Sequence, residues 1–190
     1  MNLFQIEYSN LLYFLRRGNR KYLITTIIIF LIVFYISYIA FTDILNTEGN
    51  GGGGGSEYKD FTVNSFLDFF INNAKVFVLM SVGFGVITFI SLVYQAYSLG
   101  MLYSVWLHEG LSFKTFALLT IPHGIFEIPA LFIAGSIGFR SLTLIIQYLK
   151  RKELNYQKEF EQIVYNLILV IFLTFLAAIV EFYVTQGIAQ

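Results

Sequence analysis

Residues 22–42, from Tyr22 to Thr42, carry no charged side chain. As a helix rising about 1.5 Å per residue, such a run spans the roughly 30 Å hydrocarbon layer of a bilayer. A soluble domain would have to bury all of it. The rest of the chain makes that untenable, because hydrophobic residues are 57% of the total, aromatic residues 18% and charged residues only 13%. Soluble domains carry about 25% charged residues. The fold class expected is therefore all-α, a polytopic helical membrane protein.

Charge placement orients the first span. Arg16, Arg17, Arg20 and Lys21 precede it, whereas Asp43, Glu48, Glu57, Asp60 and Asp68 follow it with Lys59 alone among them. The positive-inside rule puts the N-terminus in the cytoplasm. The run is too long for a signal-peptide core and no small-residue cleavage site follows, so it reads as a retained anchor. Residues 1–21 form a cytoplasmic segment in which Phe4, Tyr8, Leu11, Leu12 and Leu15 recur at helical spacing. Such a helix lies in the membrane interface or packs on the cytoplasmic face of the protein. Residues 43–63 contain Gly51 to Gly55 in succession and read as a flexible extracytoplasmic linker. The membrane domain proper is expected over residues 64–186, opening with a stretch in which Phe66, Phe69 and Phe70 share a face.

Two stretches have awkward lengths. Residues 76–107 carry no charge, and residues 115–149 carry only Glu127 and Arg140 apart from His123. Each is too long for one perpendicular crossing and short for two. Both hold glycines, and the second also holds Pro122 and Pro129. Broken or re-entrant helices are expected in both, which lipid tolerates only where freed backbone groups face protein or water. A basic cluster, Lys150, Arg151, Lys152 and Lys158, follows, and a last span runs from about Ile163 to Tyr183. About five spans result, with the C-terminus outside.

Chemistry-bearing residues are few. In Pro122-His123-Gly124-Ile125-Phe126-Glu127-Ile128-Pro129-Ala130, His123 and Glu127 stand four apart and share a helix face. Pro129 has no N–H for the carbonyl of Ile125. The result is a polar nest at membrane depth, either a functional ionisable site or a structural hydrogen-bond knot. Arg140 has no partner nearby in sequence. Glu181 is either a solvated helix end or the partner of Arg140 or His123 inside the fold. His123, Glu127, Arg140 and Glu181 are thus the candidate polar cluster. Ala130, Ala134 and Gly138, with Gly135 beside them, form a ladder of small residues, and Gly83 and Gly85 give a second close-approach surface. These serve internal packing or a contact between copies in a homo-oligomer.

The absences also exclude function classes. There are no cysteines, so there are no disulfides, thiolate metal sites or cysteine nucleophile. His108 and His123 are the only histidines, and neither has the second histidine four residues away that the zinc-protease pattern needs. No phosphate-binding glycine motif, nucleophile elbow or paired aspartates occur. No catalytic residue, cofactor or metal site is expected. Twelve basic residues balance twelve acidic ones, so nothing points to nucleic acid.

The chain resembles the stage II sporulation protein M family over roughly residues 65–186. The residues that carry the likeness are Phe70-Ile71-Asn72-Asn73, Gly83-Phe84-Gly85, Leu99-Gly100, the Pro122–Ala130 run, Ala134-Gly135, Gly138, and Ala177-Ala178 before Glu181 and Thr185. The Pro-His-Gly-x-x-Glu-x-x-Ala run is the specific element. Gln95-Ala96 departs from the family's frequent Asn-Gly, and Gln186 from its proline. The resemblance implies a polytopic protein similar to one that works with wall-degrading partners during forespore engulfment, or to relatives found beside genes for making and exporting circular bacteriocins. Two readings follow. One is a non-catalytic scaffold or accessory subunit in cell-envelope remodelling or secretion, partnered by the lipid bilayer and other envelope proteins of the plasma membrane. The other is a small permease or channel component. An intramembrane hydrolase is a distant third.

Overall fold

The computed structural model describes residues 17–48, 65–110, 112–153 and 155–185. Within these residues five α-helices follow one another, α1 (Arg17–Glu48), α2 (Phe66–Val82), α3 (Val86–His108), α4 (Phe113–Leu149) and α5 (Tyr156–Val180), and a π-helical turn (Glu181–Thr185) extends α5. No strand occurs among the described residues. The amphipathic residues before Arg17 and the glycine-rich linker lie outside the described residues.

Local signals start the helices. The Asp68 carboxylate accepts from the backbone N–H of Ser65 at 3.0 Å, holding the entry to α2. Ser112 Oγ accepts from Thr115 N at 3.2 Å, and Asn155 Oδ1 from Lys158 N at 3.1 Å. Each satisfies an N–H that the first turn of a helix leaves without a partner.

Contacts between helices fix their directions. Near one end of the bundle Thr26 of α1 lies against Gly135 of α4, and Gly138 against Thr88 and Met80. Near the other end Thr42 of α1 meets Ser104 of α3 through their hydroxyls at 3.0 Å. There too Phe66 and Phe70 at the start of α2 meet Phe175 near the end of α5, with ring centroids 6.1 and 5.6 Å apart. Helices α1, α3 and α5 therefore run one way, and α2 and α4 the other. Among the described residues four segments are long and apolar enough to cross a membrane, Arg20–Thr47, Val86–His108, Phe113–Leu149 and Tyr156–Tyr183. Helix α2, at 17 residues, is shorter.

The uncharged stretch 76–107 breaks as its length demands. Helix α2 ends at Val82, and Phe84 and Gly85 turn the chain with φ of 44° and 81°. Residues 115–149 differ from expectation. They lie in one continuous 37-residue helix that contains both prolines. In a bundle, neighbouring helices hold the turn that a proline leaves unbonded, so a membrane helix can pass through one without ending.

The exterior is apolar, and the interior packs small residues around a few large ones such as Phe77, Met80 and Leu92. Ile28, Leu31, Ile32, Tyr35 and Ile36 are all at least half exposed. Ala96, Ala130, Ala134, Ala177, Thr26, Thr88 and Thr174 are fully buried. Buried hydroxyls turn back on their own helices: Thr26 Oγ1 donates to Tyr22 O at 2.8 Å, Ser81 Oγ to Phe77 O at 2.8 Å and Thr174 Oγ1 to Val170 O at 2.7 Å. That arrangement satisfies polar groups without water. An outer surface of this kind matches lipid. The chain is a helical membrane protein.

Candidate functional site

The middle of α4 carries the polar nest. His123 and Glu127 project one turn apart, with Nε2 and Oε2 separated by 4.0 Å and side chains 16% and 28% exposed. Gly124, between them in sequence, is buried and has room above it, the nearest atom to an added Cβ being Ile128 Cδ1 at 3.8 Å. The two side chains open into a cavity of about 100 Å³ between α1, α3 and α4. Phe30, Leu99 and Leu131 form its apolar wall, and Gln95, Thr120, His123 and Glu127 its polar side. A few convergent polar groups in an apolar pocket are the usual form of a small-ligand site. The volume is enough for several waters or a small solute.

Glu181 joins this region. The π-turn packs against α4, and the Glu181 and Glu127 carboxylates lie within reach of one another's charge. π-Helical turns change the side-chain register locally and often sit at functional positions.

Arg140 stands elsewhere. Its Nη2 forms an ion pair with Oε2 of Glu159 and donates to Gln162 Oε1 at 3.4 Å. It lies roughly 20 Å along α4 from Glu127 at about 1.5 Å per residue. The guanidinium thus takes a carboxylate from the first turns of α5, and neither Glu181 nor His123 is that partner. The reason is direction: α5 runs antiparallel to α4, so its start meets the far end of α4 and its end meets the middle. His123 and Glu127 share the cavity, Glu181 lies within the electrostatic reach of Glu127, and Arg140 stands apart from them.

The small residues form an intramolecular seam. Ala130 and Ala134 are fully buried. A Cβ on Gly135 would lie 2.6 Å from Thr26 Cγ2, and one on Gly83 would lie 2.8 Å from Ile87 Cβ. A Cβ on Gly85 would run into the Leu142 side chain. Gly100 belongs to the same class, since a Cβ there would meet Ser37 Cβ at 3.0 Å. Sequence reasoning placed no role on Gln95, Glu159 or Gln162. Gln95 had a legible signal, being the one carboxamide in the uncharged stretch 76–107. Glu159 and Gln162 had none, because they sit beside Lys158 at a helix start where solvated charge is ordinary.

Comparison with known proteins places this arrangement. The family model described as stage II sporulation protein M matches residues 23–186. The match takes in most of α1, beyond the region from residue 65 that carries the visible resemblance. An uncharacterized protein of Methanocaldococcus jannaschii is 31% identical over 170 residues, which cover 86% of this chain and 95% of that protein. No solved structure matches the chain. With the family pattern running from the first membrane helix through the His123–Glu127 turn to the π-turn, the chain belongs to the stage II sporulation protein M family.

Proposed function

We propose that this protein is a non-catalytic accessory subunit of the plasma membrane that holds proteins of cell-envelope remodelling or secretion together. Its N-terminus is cytoplasmic and its C-terminus extracytoplasmic. The observation that carries the reading is the closed seam beside the cavity. Gly135 and Gly138 meet Thr26 and Thr88 with no space for one added methyl group. A bundle packed to that tolerance is a rigid support, since tight interiors resist continuous deformation. The orientation rests on charge. The start of α1 and the α4–α5 connection share one end of the bundle, and both carry the chain's basic clusters.

The second reading, a small permease or channel component for peptide or ion transport, draws on one observation, the polar cavity at the middle of α4. Transporter sites occupy such depths.

Glu127→Gln separates them. The scaffold reading expects the variant to insert, melt and rescue a deletion strain nearly as the wild type does, because the amide keeps the shape and an acceptor oxygen. Glu127→Ala is expected to lose about 1 kcal/mol, because it empties side-chain volume beside the cavity and removes the carboxylate that stands 4.0 Å from His123. A stable, correctly inserted Glu127→Gln protein that fails to rescue defeats the scaffold reading in favour of transport, since an amide cannot carry a proton.

A further inference from the structure

The connection between α4 and α5 carries an open surface groove of about 420 Å³. Its walls are Tyr148, Leu149, Arg151, Lys152, Glu153 and Tyr156. It sits where two membrane-length helices end and begin, Phe113–Leu149 and Tyr156–Tyr183, and so at a lipid–water boundary. Tyr148 and Tyr156 meet edge to face with centroids 6.1 Å apart. Tyrosine pairs of this kind suit the headgroup level of a bilayer. Leu149 is 72% exposed, an apolar surface turned outward beside the cations.

The cations are free to bind something. The turn that follows α4 closes through its backbone, with Arg151 N donating to Tyr148 O at 2.9 Å and Lys152 N to Gln147 O at 3.1 Å. The last carbonyls of the helix therefore do not need these side chains. Among the described residues neither Arg151 nor Lys152 forms an ion pair. Lys150 and Lys158 flank them in sequence, and Glu153 is the acidic wall residue. The pocket keeps a net positive charge. Arg151 also holds a φ of 52°, a backbone state that normally selects glycine.

We propose that this pocket binds the phosphodiester headgroup of an anionic phospholipid in the leaflet it faces. The chemistry is complementary at each level. A guanidinium grips two phosphate oxygens at once, and an ammonium adds a point charge. The phenols lie at the depth of the glycerol, and Leu149 meets the start of an acyl chain. A soluble phosphate would use the cations and leave the apolar rim without purpose. Basic pockets at the ends of membrane helices are a recurrent form of headgroup recognition. The site is independent of whether the protein is a scaffold or a permease.

The test uses the full chain purified in detergent. Native mass spectrometry and thermal melting are read with added phosphatidylglycerol, phosphatidylcholine or soluble glycerol phosphate. Phosphatidylglycerol is expected to be retained about tenfold better than phosphatidylcholine, and to raise the melting temperature more. Arg151→Gly with Lys152→Gln is expected to abolish that preference. Arg151→Gly alone is expected to fold at least as well as the wild type, because glycine suits the left-handed backbone, while losing several-fold in preference. It decides the matter should the double variant not fold. Lys114→Gln, at the opposite end of α4, is expected to leave the preference intact. Equal retention of the two lipids by the wild type overturns the proposal, as does undiminished preference in a folded Arg151→Gly protein. A melting shift reproduced by glycerol phosphate overturns it too, in favour of a soluble phosphoryl ligand.

Discussion

The Thr88 hydroxyl donates to the main-chain carbonyl of Met80 at 2.8 Å, tying the first turn of α3 back to the last turn of α2. The same oxygen accepts from Gly85 N at 3.2 Å. One side chain therefore serves two backbone groups in the break between the helices, where no regular ladder supplies partners. Thr88→Val keeps the volume and removes the hydroxyl. It is expected to cost about 1–3 kcal/mol, because Gly85 N loses its acceptor and Met80 O keeps only the long bond from Gly83 N at 3.4 Å. Thr88→Ser is expected to retain most of the stability. Thermal or chemical unfolding in detergent measures both.

The glycines of α4 should respond to alanine in opposite ways. At Gly135 the added methyl group would press on Thr26, and overpacking of this sort costs about 1–3 kcal/mol. At Gly124 the nearest atom stands at 3.8 Å, so the methyl group fits. There the helix gains roughly 0.5–1 kcal/mol from the lower backbone entropy of alanine. Gly124→Ala is expected to melt at or above the wild-type temperature and Gly135→Ala below it. Equal behaviour would contradict the seam described above.

Arg140 and Glu159 form a pair that joins α4 to α5, with side chains only 14% and 21% exposed. Breaking it from one side leaves a poorly solvated charge. Glu159→Gln is expected to lose about 1.5–3 kcal/mol, the range for a charged hydrogen bond. Arg140→Gln combined with Glu159→Gln is expected to lose less than the sum of the two single changes, with a coupling of about 1–3 kcal/mol. A double-mutant cycle on unfolding gives that coupling directly, and a value near zero would show that the pair does not bear on stability.

The proposed orientation can be read with single cysteines, since the chain has none of its own. Thr47 at the end of α1 and Glu109 after α3 are exposed at one end of the bundle, and Lys152 is exposed at the other. In intact cells an impermeant thiol reagent is expected to label Thr47→Cys and Glu109→Cys and to spare Lys152→Cys until the membrane is opened. The reverse pattern inverts the topology.

What the sequence determined by itself follows from rules that act locally. A bilayer demands an uncharged run of fixed length, so Tyr22–Thr42 announced a membrane helix without reference to any other residue. That residues 76–107 must break was legible from their length, although Gly83 and Gly85 read as a packing surface and not as the place of the break. The i,i+4 spacing of His123 and Glu127 placed them on one face before any fold was known. What only the tertiary structure decided depends on register between helices distant in sequence. Pro122 and Pro129 read as helix breaks, yet packing carries α4 straight through them. Arg140 takes Glu159, and Glu181 comes within the electrostatic reach of Glu127, because α5 runs back along α4. Gln95 reaches the cavity only because α3 lies beside α1, held by contacts such as Ser37 Oγ to Tyr97 O at 2.8 Å. No periodicity within one helix encodes the offset between two, since that offset is set where small residues allow the closest approach of backbones.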